Sequence, residues 1–441
     1  MQSPKNLSAS PEISEKTKSL DLISTITFFL FALGCSFSIS LAQIAGYTGL
    51  GLLLIRTQLT RSWAQFNTVL LIPFSGLYLA CILSTLLGVD PMHSLPVLRK
   101  LVGFAIFIWV VNGSQYINLR HFQPIVQQLL NFRKRNRFLS SLFTSSESLP
   151  TIQWVINALI AATAVSALYG LVQGYSRGFS ITSRYQIHST FSHVFTFSAV
   201  LMMVNLIALA YLLFGTKKKT WLWVSFFIIS LCLVFTFTRM VWVGFFMGCV
   251  VLFFFKRKAL VILPPLLLAI ALLIGPESFL ERLLSIFDFD RGSTPIRFDM
   301  WKSGWDVIKD HPWVGCGYNC LYLIHDQYPH HPILQKFYYN LHSNLFQIAV
   351  DHGLLGLGAW LTLWISYFIA LSRHYLKILP SSPVRWVILG SGAVVISFLT
   401  AGIFETNFYD SEVTMVLYFI MALPFVNSNN AKSAPSVPTS S

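Results

Sequence analysis

Long apolar runs separated by short polar links fill most of this 441-residue chain. Runs of about 18 or more apolar residues match a hydrocarbon slab roughly 30 Å thick. In lipid, the backbone polar groups of each run must be satisfied internally, which predicts helices. Two spans are expected within Asp21 to Leu54, broken near Ala45-Gly46-Tyr47-Thr48-Gly49. Then come Thr68 to Gly88, Val97 to Val111, Ile152 to Gln173, Phe191 to Phe214, Trp221 to Phe237, Met240 to Phe255 and Leu260 to Ile274. Leu345 to Leu371, Arg385 to Phe404 and Val413 to Val426 complete the set. The pattern predicts an all-α polytopic membrane protein with about twelve transmembrane helices. One long polar interval, residues 276–342, interrupts it.

Links rich in Lys and Arg alternate with poor ones, which allows orientation to be read. The basic links hold Arg56 and Arg61, Arg120 with Arg133 to Arg137, Lys217 to Lys219, Lys256 to Lys258, and Arg373, Lys377 and Arg385. The complementary links hold Arg99 and Lys100, Arg177 and Arg184, the lone Arg239, and the long interval, where acidic residues outnumber basic ones. This alternation predicts that both termini are cytoplasmic and that residues 276–342 face outward. Residues 1–20 read as a disordered cytoplasmic N-terminus, residues 21–275 as the first nine helices, residues 343–426 as the last three, and residues 427–441 as a disordered cytoplasmic tail. Within the first group, residues 113–150 form a basic cytoplasmic segment. There Phe122, Ile125, Val126, Leu129, Leu130 and Phe132 follow helical spacing suited to an anionic headgroup surface.

Composition agrees: 54% of residues are hydrophobic and only 11% charged, against about 25% charged in soluble domains. The formal charge of +14 lies in clusters between apolar runs, which argues for membrane orientation rather than nucleic-acid binding. The first twenty residues are polar and of mixed charge, so the first apolar run reads as a retained span and not a cleaved signal. Cys35, Cys81, Cys232 and Cys249 lie in apolar runs, where packing is the default use. Cys316 and Cys320 lie in the long interval and can pair if it is extracytoplasmic.

Arg239 stands between two apolar runs with almost no link around it. An ionisable group at such depth is costly and marks function, unless it snorkels to the headgroups. Its planar fork suits phosphate oxygens. Arg297 opens a helical pattern with Trp301 and Trp305 on one face, and reads either as an anion ligand or as a solvated helix residue; the tryptophans suit membrane-interface packing or a binding platform. His342, where the long interval rejoins an apolar run, can take a proton near neutral pH or simply start a helix. Six of the eleven histidines fall between His311 and His352, yet no spacing there is typical of metal ligands, and no metal site is expected. Arg184, with His188, and the last outward link, with Glu405, Asn407, Asp410 and Glu412, offer groups for sugar hydroxyls, for capping, or for pairing with the arginines.

Several stretches together resemble the O-antigen ligase and O-antigen polymerase family of bacterial inner-membrane proteins, which includes relatives labelled as bicarbonate transporters. They are Thr236-Phe-Thr-Arg239; Arg297-x3-Trp301 leading to Asp310-His-Pro-Trp-Val-Gly-Cys-Gly317; His342-Ser-Asn344 continuing into Asp351-His-Gly-Leu-Leu-Gly356; and Gly402-Ile-Phe-Glu405-Thr-Asn407. Thr238 stands where the family usually has Ser, Met240 where it usually has Gly, and Ser343 separates His342 from Asn344 where the two are often adjacent. The resemblance implies a C-type glycosyltransferase-like fold of twelve spans with a large periplasmic loop in the bacterial inner membrane. It also implies metal-independent, cofactor-free transfer of a glycan from undecaprenyl diphosphate to an acceptor hydroxyl on a glycolipid or polysaccharide. Arg239 and Arg297 match diphosphate-binding arginines and His342 the presumed catalytic base. Arg184, Asn344 and Glu405 are candidate substrate contacts on their own residue chemistry, with the role of Asn344 left open by the intervening Ser343. A repeat-unit polymerase and a small-solute transporter of the bicarbonate type are the alternatives.

Overall fold

The computed structural model describes residues 11–118, 152–179, 186–215, 220–274, 277–285, 293–328, 340–379, 382 and 384–426. Among them every regular element is helical. The first helices are α1 (Pro11–Phe37), α2 (Ile39–Thr60), α3 (Leu71–Leu87), α4 (Ala105–Gly113), α5 (Ile152–Arg177), α6 (Val194–Phe214) and α7 (Thr220–Phe235). They are followed by α8 (Arg239–Lys256), α9 (Leu263–Ile274), α10 (Glu277–Leu284), α11 (Ser293–Asp310), α12 (Asn344–Lys377), α13 (Arg385–Ala401) and α14 (Ser411–Ala422). Among the described residues, six stretches are long and apolar enough to cross a membrane: Thr17–Phe37, Ile39–Thr60, Ile152–Arg177, Val194–Phe214, Arg239–Lys256 and Asn344–Lys377. Leu71–Leu87, Thr220–Phe235, Lys258–Ile270, Arg385–Ala401 and Ser411–Phe425 are shorter apolar helices. The chain is thus a multi-pass membrane protein, and each expected apolar run falls on helix.

Two expectations change. The break between the first two helices lies at Ser38, whose hydroxyl accepts from the Leu41 amide at 3.5 Å, not at Ala45 to Gly49. Gly46 and Gly49 lie inside α2 because a helix crosses there at close range. A Cβ on Gly49 would sit 2.4 Å from the Trp109 ring, and one on Gly46 2.4 Å from Ile106 Cδ1. Small residues serve such contacts in membrane helices. The run from Val97 to Val111 divides into a 3-10 stretch, Leu95–Phe104, and the nine-residue α4, so neither part is long enough to cross alone. The basic segment is described only up to residue 118; the rest of it, with its apolar positions Phe122 to Phe132, lies outside the described residues.

Contacts between links sort the bundle into two ends. At one end Arg56 pairs with Asp21 at 2.7 Å, and Lys256 reaches the Leu213 carbonyl. At the other, the Val89 amide donates to Cys316 O at 2.8 Å, Thr196 donates to Asp410, and Asn344 donates to Asn407 at 2.6 Å. Residues of the long polar interval gather at this second end. Met300, Val307, Ile308, Cys316, Cys320, Leu321 and Ile324 form a small core there with Leu341, Ala349 and Val350. The pair Cys316–Cys320 is joined as a disulfide, Cα atoms 5.7 Å apart.

The interval is fastened by a break in α12. Gly353 takes φ 63°, ψ −167°, a region reserved for glycine. The helical bonds lost there are replaced from the interval. Leu354 and Leu355 amides donate to Pro312 O and Trp313 O at 2.8 and 3.1 Å, and the freed carbonyls of Val350 and Asp351 accept from Cys316 and Gly317 at 3.0 and 3.1 Å. Gly315 (φ +71°) has no room for a Cβ, which would meet the Asp351 backbone at 2.5 Å. Pro312 to Gly317 and Asp351 to Gly356 are therefore two halves of one backbone joint.

Candidate active site

Phe404, Glu405 and Thr406 follow the end of α13 and turn back toward the start of α12. Glu405, 8% exposed, faces Arg297 and His342. Arg297 Nη2 on the first turns of α11 donates to Glu405 Oε1 at 2.7 Å, and His342 Nδ1 lies 3.5 Å from Glu405 Oε2. Arg297 is itself 8% exposed. A buried ion pair must be closely matched to offset desolvation, and this one joins residues 108 apart in sequence.

His342 is held in an unusual backbone conformation, φ 49°, uncommon outside glycine and associated with functional positions. Its amide donates to Asn340 Oδ1 at 2.6 Å. Thr406 donates to the same oxygen, tying the histidine to the Glu405 turn. On the other side, the Leu341 amide donates to Gln347 Oε1 at 2.8 Å and Leu341 O accepts from Trp301 Nε1 at 2.9 Å. Its imidazole keeps 31% exposure.

Arg239 is the first residue of α8. Its Nη1 donates to Ser285 O at 2.5 Å and lies 3.3 Å from Ser285 Oγ, just past the end of α10. The same short helix carries Arg282, whose Nε donates to Phe237 O at 3.0 Å. Burial and the neighbouring Arg297 guanidinium both hold the Arg282 guanidinium below its usual range. Arg282 is thus joined to Arg239 through two backbone contacts and to Arg297 through repulsion. Arg239, Arg282 and Arg297 thereby concentrate positive charge around α10. The positive end of α8 adds to it.

Of the residues singled out from the sequence, Arg297, His342 and Glu405 come into direct contact, and Arg239 joins them through α10. Asn344 is 1% exposed; its Nδ2 donates to Asn407 Oδ1 at 2.6 Å and its Oδ1 accepts from the Phe408 amide at 3.1 Å, so both ends of the amide brace the turn. Arg184 lies outside the described residues; His188 Nδ1 donates to Phe191 O at 2.7 Å. Sequence reasoning missed Arg282. Its signal was a basic residue within the amphipathic stretch Phe279-Leu280-Glu281-Arg282-Leu283-Leu284, at the point where an apolar run gives way to the polar interval.

Residues 224–361 match the family model for O-antigen ligase. That stretch is similar to the O-antigen ligase family. The matched stretch takes in Arg239, Arg282, Arg297 and His342 and ends before Glu405, so the carboxylate that bridges Arg297 and His342 comes from the segment that follows it. Members of this family are glycosyltransferase-like membrane enzymes, which fits the multi-pass fold. No curated protein matches the chain.

Proposed function

We propose that this protein is an O-antigen ligase that moves a glycan from undecaprenyl diphosphate to a hydroxyl of lipid A-core or another envelope acceptor, on the periplasmic face of the inner membrane. The bridging of Arg297 and His342 by Glu405 carries this reading, since it sets a phosphate-type ligand and a proton acceptor side by side. The donor's diphosphate binds Arg239, Arg282 and Arg297. As the bond from the anomeric carbon to the diphosphate oxygen breaks, its electron pair stays on the diphosphate. The fixed guanidiniums stabilise that gain of charge more than they stabilise the bound donor. The acceptor oxygen bonds to the anomeric carbon and its proton passes to His342 Nε2. Glu405 acts on the other ring nitrogen, holding the Nδ1–H tautomer and leaving Nε2 free to accept. No metal or organic cofactor takes part.

A lipid-linked donor is further supported by an apolar groove of about 830 Å³ between α12 and α13. Its wall includes Trp364, Phe368, Leu399 and Ile403, with Leu345 and Gly402, three residues along the chain from His342 and Glu405, also lining it. The groove suits a polyprenyl chain leaving the diphosphate.

Purified protein, labelled undecaprenyl diphosphate-linked glycan and lipid A-core test the reading. Labelled glycolipid should form, and form equally with EDTA present. Lengthening of the lipid-linked glycan without any acceptor would instead make the protein a polymerase. Solute uptake into proteoliposomes without transfer would make it a transporter.

A further inference from the structure

The outer face of α11 bears a second groove, about 700 Å³, lined by Phe298, Trp301, Lys302, Trp305, Asp306 and Phe346. Trp301 lies flat against Phe346, with ring centroids 5.1 Å apart and planes 12° from parallel, and Phe298 meets it edge-on at 5.3 Å. Trp301 is thereby fixed. One turn along, Trp305 remains 56% exposed. Lys302 and Asp306 form a polar rim. Each is paired along its own helix, Lys302 with Asp299 at 3.0 Å and Asp306 with Lys309 at 2.9 Å, and each keeps a solvent-facing head.

Aromatic faces bounded by a carboxylate and an ammonium fit a pyranose better than an acyl chain. A sugar ring offers a face of C–H groups to pack on an indole and an edge of hydroxyls to donate to Asp306 and accept from Lys302. An acyl chain would lay apolar surface against both charged heads and offer neither of them a hydrogen bond. Position narrows the occupant. Trp301 donates to the carbonyl of Leu341, the neighbour of His342, and stands 5.2 Å from Phe404, the neighbour of Glu405. Gly304 brings α11 close against the same loop, since a Cβ there would sit 2.9 Å from Leu341 Cδ1. The groove therefore adjoins the proton-accepting histidine, whereas Arg239 and Arg282 are anchored to α8 and α10.

We propose that this groove is a saccharide subsite that holds the acceptor's sugar beside the hydroxyl that reacts, an inference that rests on the glycan-transfer reading. Trp305 supplies the exposed stacking face, Trp301 the fixed wall, and Asp306 and Lys302 the hydroxyl contacts.

The test is a binding titration on the full-length protein in detergent. Its probe is the pool of oligosaccharides released by mild acid from the envelope of the source cells, and its readout is tryptophan fluorescence. Wild type should saturate. Trp305→Ala should bind roughly tenfold more weakly, the size expected on removing an anchoring tryptophan, and Trp305→Phe should recover most of the loss. Trp313→Ala, at a tryptophan 66% exposed and outside the groove, should bind as wild type does. Equal binding by wild type and Trp305→Ala, or no binding by wild type, would overturn the subsite, whether or not transfer is observed. Binding that depends on Trp305 in a protein without transferase activity would retain the subsite and remove the ligase reading. In the transfer assay Trp305→Ala should raise KM for the acceptor; a rise confined to KM for the lipid-linked donor would overturn the acceptor assignment.

Discussion

Arg297 and Glu405 form a buried ion pair, 2.7 Å from Nη2 to Oε1, that joins the polar interval to the link between α13 and α14. Removing one partner from such a pair leaves an uncompensated buried charge and costs about 3–5 kcal/mol. Glu405→Ala should therefore lower thermal stability and yield as well as activity. Glu405→Gln keeps a hydrogen-bond acceptor for Arg297 while losing the charge beside both Arg297 and His342, so it should be less destabilised than Glu405→Ala while transfer falls by roughly tenfold or more. Thermal unfolding of both variants in detergent, set beside their turnover, separates the two effects. Unimpaired turnover in Glu405→Gln would deprive the carboxylate of its orienting role.

At the arginines geometry should matter as much as charge. Arg239→Lys retains a cation but not the fork, and loss of one stabilising donor costs on the order of 100-fold in rate. Transfer by membranes containing equal amounts of inserted wild-type and Arg239→Lys protein measures this. Near-normal transfer would remove Arg239 from the diphosphate site.

Arg282 should behave as a third diphosphate ligand. Arg282→Gln keeps a donor for Phe237 O but removes the charge, and it should raise KM for the lipid-linked donor by roughly tenfold with little change in KM for the acceptor. A change confined to stability, with both constants intact, would reduce Arg282 to a support for the turn at Phe237.

Much of this arrangement could be read from the chain beforehand, because apolar run length alone determines where helices form in lipid. Arg239 and His342 were visible as polar residues at the edges of such runs, and Arg297 as the start of a helical pattern inside the polar interval. Their mutual placement was not. Glu405 seemed one of several link carboxylates, since its partner lies 108 residues away and no local period reports so distant a contact. Gly46 and Gly49 looked like a break for a related reason: glycine marks both turns and close helix crossings, and only the position of Trp109 decides between them. Gly353 carried no local sign of its φ of 63°, because the amides and carbonyls it releases are satisfied by residues 312–317.

That joint yields its own prediction. Gly353→Ala places a Cβ 2.4 Å from Trp313 O at a backbone angle that costs about 1–3 kcal/mol for other residues. The variant should show a clear fall in melting temperature and in the monodisperse fraction on size exclusion, whereas Gly358→Ala, where a Cβ meets nothing within 4 Å, should match wild type. Equal melting temperatures for the two would show that the joint does not hold the interval.

The disulfide predicts which compartment the interval faces. Cys316 and Cys320 should be linked in protein isolated without reductant, detected as a joined peptide by mass spectrometry, because such bonds persist in oxidising compartments. Free thiols at both positions in protein trapped with alkylating agent directly from cells would place the loop on the reducing side.

The central claim is that Arg239, Arg297 and His342 serve one lipid diphosphate, and a structure of the protein with undecaprenyl diphosphate bound tests it most directly. The phosphates should lie within hydrogen-bond distance of the Arg239 and Arg297 guanidiniums with His342 Nε2 facing the adjoining space. A diphosphate bound away from these residues, or at the opposite end of the bundle, would contradict the account.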